Sequence, residues 1–140
     1  MKILAVDYGK ARTGLAISDA GERLASPLTV IAQRDPERLV QQIAQIAGEQ
    51  KAELLVVGLP KNMDGSEGES AQNARSFAER LERASGLAVE LRDERGTTVS
   101  AHGYLNQTDT RGKKRKAVVD AVAATIILQE FLDYRRNQRE

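Results

Sequence analysis

Residues 3–6, Ile-Leu-Ala-Val, form an unbroken apolar run that stops abruptly on a carboxylate, Asp7. A strand with no polar alternation has both faces buried, so it belongs inside a sheet covered on both sides. An acid that closes such a strand is costly to desolvate unless it is paired, hydrogen-bonded or metal-bound. Two more acids have similar settings far downstream. Glu94 lies in Val89-Glu-Leu-Arg-Asp-Glu-Arg95, and Asp120 in Ala117-Val-Val-Asp-Ala-Val-Ala-Ala124. Three carboxylates on three separate elements suggest a divalent-metal site if the fold brings them together.

The remaining chain supplies an alternation of strands and helices. The first strand is expected at residues 2–8, a second at 15–19 and a third at 24–33, where Pro27 calls for an edge or a bulge. Asp35-Pro36 is a helix start, with an N-cap acid and proline at the first helical position. Leu39, Val40, Ile43, Ile46 and Ala47 mark one face of that helix, which should end near Lys51. Residues 53–58 read as a buried strand, and 59–68 as a long loop of turn formers. A second helix should run from Ser70 to a glycine stop at Gly86, with Ala71, Ala74, Phe77, Ala78 and Leu81 inward. Strand 87–92, a helix over 97–107, a basic loop and a long helix from Ala117 to about Arg136 complete the chain. The order β-β-β-α-β-α-β-α-α implies one α/β domain over residues 1–140, a mixed central sheet with helices on both faces. It is the order of the ribonuclease H-like fold. There, the ends of the first and fourth strands lie side by side near the sheet centre.

Composition narrows the chemistry. The 140 residues contain no cysteine and one histidine, His102. Disulfides, thiol catalysis and thiolate or two-histidine zinc sites are therefore excluded within one chain. A metal here would be a hard cation held by oxygen, Mg2+ or Mn2+. No apolar run is long enough to span a bilayer, and the N-terminus is strand-like, so a soluble, cytoplasmic protein is expected. Net charge is +1, but residues 111–140 carry eight Lys or Arg against four Asp or Glu. Arg111-Gly-Lys-Lys-Arg-Lys116 holds most of that excess. Such a run is either a solvated loop or a clamp on nucleic-acid phosphates. With two Phe, three Tyr and no Trp, base stacking is a poor main mode of recognition.

Four motifs then resemble one family. Val6-Asp7-Tyr8-Gly9, the loop Val56-Val-Gly-Leu-Pro-Lys-Asn-Met-Asp-Gly-Ser66, Asp93-Glu-Arg95 with Thr97-Thr98, and Lys113-Lys-Arg-Lys followed by Asp120 are similar to the YqgF family, also called RuvX. The motifs cover nearly the whole chain in the right order. The resemblance implies a RuvC-like nuclease that resolves Holliday junctions or processes precursor 16S rRNA. It also implies that Asp7, Glu94 and Asp120 are the metal-binding acids, with Asp7 bridging two ions. Arg12 and Arg95 would contact phosphates beside the acids, and Lys113, Lys114, Arg115 and Lys116 would track the nucleic-acid backbone. Symmetric junction cutting would need a homodimer, and end-trimming of RNA would not. Gly96 and Ser100-Ala-His102 depart from the family pattern, which bears on local packing more than on the acids.

Each acid also has a structural alternative. Asp7 could cap the following turn, Glu94 could pair with Arg92 or Arg95, and Asp120 could cap the last helix. Two rival functions remain open. Asp7-Tyr-Gly9 with Gly14 also looks like the phosphate loop of actin-like ATPases, although those enclose a nucleotide between two such domains. A catalytically silent nucleic-acid-binding module in ribosome assembly is the other.

Overall fold

The computed structural model describes residues 1–93 and 112–139, with side chains for 1–93 and 121–138. The expected helix over 97–107 lies outside the described residues, as do Gly96 and His102. Among the described residues, five strands and three helices follow one another as β1 (Lys2–Asp7), β2 (Thr13–Ser18), β3 (Ala25–Ile31), α1 (Pro36–Glu49), β4 (Ala52–Leu59), α2 (Glu69–Ser85), β5 (Ala88–Asp93) and α3 (Gly112–Arg139). The strands form one sheet in the order β3-β2-β1-β4-β5. β1 pairs antiparallel with β2 and parallel with β4, and β5 continues parallel beyond β4. This is the mixed sheet expected from the element order, with β1 and β4 adjacent at its centre.

The apolar run in β1 is explained by its two neighbouring layers. Leu4 and Val6 pack with Leu39, Val40, Ile43, Phe77 and Leu81 of α1 and α2. Ile3 and Ala5 face the opposite way, against Ala124, Ile127, Leu128, Phe131 and Leu132 of α3. β4 divides in the same manner, with Leu55 and Val57 on one side and Leu54 and Val56 on the other. Because successive strand residues alternate faces, a strand sandwiched this way must be apolar throughout.

Local signals set the boundaries. Pro27 lies on edge strand β3, opposite Ala16, and the register shifts between Leu15 and Ala16. The missing N–H is thereby kept out of a central ladder. Asp35 caps α1 by accepting from the Glu37 amide at 3.0 Å, with Pro36 next in line. Gly86 ends α2 at φ 72°, a left-handed conformation that glycine adopts without a Cβ penalty. In the β2–β3 turn, Asp19 accepts from the amides of Arg23 and Leu24, and these bonds hold its carboxyl below the ordinary 3.8.

α3 corrects one expectation. The helix begins at Gly112 rather than Ala117, so Lys113 to Lys116 lie in its first turns and not in a loop. Lys and Arg have high helix propensity, and their charge alone does not break a helix. The buried stripe Ala123, Ala124, Ile127, Leu128, Phe131, Leu132 recurs at helical spacing and covers the sheet. The Gln129 amide spans Ala25 N (2.9 Å) and Arg23 O (3.0 Å), while Arg135 pairs with buried Glu22 at 2.8 Å. Ile3 N in turn donates to Ser18 Oγ at 2.8 Å, which fixes the β2–β3 turn beside the start of β1. The second half of α3 is thus tied to that end of the sheet, leaving its first turns on the side where β1 ends. The Arg92 guanidinium of β5 lies over the Tyr134 ring of α3, 5.3 Å from its centroid.

Leu128 is fully buried between α3 and the sheet. Replacing it with alanine should lower stability by about 3 kcal/mol, read as a shifted urea midpoint with unchanged slope.

Candidate active site

The parallel strands β1, β4 and β5 all end on one edge of the sheet, where open α/β sheets place their ligand sites. Asp7 is the last residue of β1, half-buried and paired in register with Gly14 of β2. It continues the alternation of Ile3 and Ala5, so it stands on the α3 face of the sheet. Along the same edge, Val6 pairs with Val57, and Gly58 with Arg92. At about 4.8 Å between neighbouring strands, β5 runs roughly 10 Å from β1.

The loop after Asp7 is closed by its own backbone. Thr13 is fully buried, and its Oγ1 accepts from Gly9 N (3.3 Å) and donates to Gly9 O (3.5 Å). The Gly9 amide is therefore engaged by Thr13. A Cβ on Gly9 would lie 2.2 Å from the Arg12 carbonyl oxygen, closer than side-chain carbons approach backbone. Glycine at this position allows the close approach. On the other face, the Tyr8 ring stacks on Phe77 with centroids 4.1 Å apart and planes 6° from parallel. Among the described residues, Nη1 of Arg12 is the one buried side-chain nitrogen or oxygen with no hydrogen-bond partner.

The β4–α2 loop borders the same edge and is braced from within. Asn62 N donates to Ser66 O and Gly65 N to Asn62 O, both at 2.8 Å. Asp64 Oδ1 accepts from Ser66 N and Ser66 Oγ, the turn-forming role expected of it. Arg75 forks onto Glu67 at 2.7 Å through two nitrogens, which pulls the Glu67 carboxyl below its ordinary 4.5.

Of the residues singled out by sequence, Asp7 ends β1 and Arg12 lies in the connection that leads from it into β2. Glu94, Arg95 and Arg111 lie outside the described residues. Lys113, Lys114, Arg115, Lys116 and Asp120 fall within α3. Asp120 now stands well beyond the first turn, where a carboxylate no longer serves the helix dipole. Its position is one turn before Ala124, on the stripe that covers the sheet. Among the described residues, no group of three His, Cys, Asp or Glu gathers at metal-ligand spacing. Sequence reasoning missed Thr13 and the Tyr8–Phe77 stack. A threonine four residues after a turn glycine was the available signal for the first.

Residues 1–134 match the sequence profile of the RuvX Holliday junction resolvases. The chain belongs to the RuvX family. A relative from Anaeromyxobacter sp. is 47% identical over 135 residues, covering 96% of this chain and 98% of that one. One from Chloroflexus aurantiacus is 45% identical, covering 96% and 88%. Both carry the provisional name pre-16S rRNA nuclease. In structure, this RuvX-family chain is similar to Thermus thermophilus RuvC in complex with a Holliday junction, at TM-score 0.62 and 14% identity over 98% of this chain and 96% of that one. It is also similar to the fowlpox virus resolvase bound to junction DNA, at TM-score 0.58 and 13% identity over 96% and 99%. At such identities the likeness establishes the shared ribonuclease H-like fold. Among the described residues, no helix is long and apolar enough to cross a membrane.

Gly9→Ala should force the 8–13 loop open, lowering stability by about 1–3 kcal/mol. A thermal melt of the variant beside the wild type measures this.

Proposed function

We propose that this RuvX-family nuclease is a metal-dependent endonuclease whose acids are Asp7, Glu94 and Asp120. The observation that carries this is the place of Asp7, at the end of the buried central strand, on the α3 face, where β1, β4 and β5 all terminate. Helix geometry supports Asp120 as its partner. From Gln129, bonded to the start of β3 at the end of the sheet where β1 also starts, back to position 120 the helix rises about 13 Å, close to the rise from Ile3 to Asp7 along β1. Glu94 follows β5 directly in the chain.

The donor set fits a hard divalent cation. It is built of carboxylate oxygens in a chain without cysteine, and Asp7 is a half-shielded anion at a strand end. Mg2+ or Mn2+ held by these three acids would ease deprotonation of water and stabilise charge developing on the phosphodiester. The protein's own part is to hold the acids rigidly. β1 and α3 are packed elements, and a site built on them is positioned more accurately than one on loops. Arg95, one residue past Glu94, would contact the phosphate.

For substrate, we favour precursor 16S rRNA over a four-way DNA junction. The relatives that match nearly the whole chain at 45–47% identity carry the rRNA name, whereas the junction-bound neighbours share 13–14%. Junction cutting would in addition need a homodimer. Nucleotide phosphotransfer and a silent binding module are not favoured by membership in a nuclease family.

Purified protein with Mg2+ or Mn2+ should cut an rRNA-like precursor faster than a four-way junction, and chelation should stop it. Asp7→Asn should abolish cutting while leaving binding intact; normal cutting by that variant would sink the proposed site. Alanine at Lys113, Lys114, Arg115 and Lys116 together should flatten the dependence of log binding constant on log salt by about three units. An unchanged salt dependence would return these residues to a solvated role.

A further inference from the structure

We propose that Arg12 is a preformed phosphate-binding residue, its buried Nη1 meeting no acceptor among the described residues so that a backbone phosphate of the nucleic acid completes its hydrogen bonds. This deepens the nuclease function proposed for Asp7 and rests on it. Arginine stays charged under all ordinary conditions and carries five N–H donors. Burying one of its nitrogens without an acceptor forfeits a water hydrogen bond with nothing in return. Yet Nη1 of Arg12 is buried and, among the described residues, meets no acceptor. Three arginines have acid partners: Arg75 forks onto Glu67, Arg80 reaches Glu37 at 3.1 Å, and Arg135 reaches Glu22. Arg12 is partly buried and, among the described residues, has none.

What holds Arg12 is the backbone of its own loop. The close approach of Gly9 to the Arg12 carbonyl and the Thr13 clamp on Gly9 shape the turn without any bond to the guanidinium. The donors are thus positioned while unsaturated. They are also positioned at the right edge: Arg12 directly precedes β2, whose Gly14 pairs with Asp7. The ligand that best matches a guanidinium with a buried, unpartnered nitrogen is a phosphate, which can accept two parallel hydrogen bonds. Phosphates are common to DNA and RNA, so Arg12 would bind either without reading the sugar.

The test uses full-length protein in EDTA, where no cutting occurs, with a short fluorescent RNA hairpin and a DNA duplex as probes. Arg12→Met keeps the apolar stem and removes the fork; Arg12→Lys keeps the charge. Anisotropy titrations across salt, run well below both melting temperatures, should show the Met variant's slope reduced by about one on both probes. The Lys variant should keep the slope and bind more weakly. The Met variant should melt no lower than wild type, because removing an unsatisfied buried cation relieves strain where removing a structural contact would not. An unchanged slope for Arg12→Met overturns the proposal whatever happens to melting, and so does a wild type that binds neither probe. If wild type cuts and Arg12→Met retains its slope, Arg12 alone is wrong. If wild type binds through Arg12 but never cuts with metal, the nuclease function is what fails.

Discussion

The burial of β1 on both faces governs the rest of the molecule. Ile3, Leu4, Ala5 and Val6 are fully shielded, so the strand must sit mid-sheet with one helical layer on each side. Once it does, the chain has no choice about where Asp7 emerges. The last residue of the strand leaves the sheet between the end of β4 and the loop into β2, at an edge shared by three parallel strands. The carboxylate is dragged partly out of water by the packing that precedes it. A position of this kind is unfavourable for an acid in isolation and useful to one that holds a cation.

The same constraint assigns α3 a double role. Its stripe from Ala123 to Leu132 covers the β1 face that Ile3 and Ala5 expose, and its first turns extend past that stripe. Those turns carry Lys113, Lys114, Arg115 and Lys116 at the positive end of the helix dipole, where each cation is disfavoured by roughly 0.3–1 kcal/mol. Helix propensity offsets part of this, since Lys and Arg lose little rotamer freedom in a helix. A nucleic-acid phosphate reverses the sign, because an anion at a helix N-terminus is stabilised by both the dipole and the side chains. Packing thus delivers to one edge of the sheet an element whose electrostatics improve when a polyanion binds.

The layers were legible in the sequence because their signals are periodic and local. Ala71, Ala74, Phe77, Ala78 and Leu81 announce the buried face of α2, and Asp35-Pro36 and Gly86 announce helix ends through capping chemistry. The mixed sheet and the adjacency of β1 and β4 followed from the arrangement of elements. The start of α3 was misread because a dense cationic run resembles a solvated loop, and charge pattern carries no information on backbone hydrogen bonding. Asp7 was legible because a carboxylate ending an apolar run violates the pattern around it. Thr13 was not: a threonine in a strand is ordinary, and only the tight turn at Gly9 makes its hydroxyl a clamp. Neither could sequence show that Arg12 lacks a partner, since satisfaction of a guanidinium is decided by three-dimensional neighbours.

The contrast between Asp7 and Arg12 shows how the edge is tuned. Both are partly withdrawn from water, one an acid and one a base, five positions apart in the chain. A bond from the Arg12 guanidinium to a neighbouring carboxylate would satisfy it and leave nothing for a ligand to complete. The Gly9–Thr13 clamp instead fixes the backbone so that the guanidinium is held by its stem and carbonyl, not by its charge. In the proposed role, stability forgone at Arg12 would keep the site receptive to a phosphate, the usual exchange at functional positions. Glycine is what makes this arrangement accessible: any side chain at position 9 would prise the turn open and release Arg12 to find a partner elsewhere.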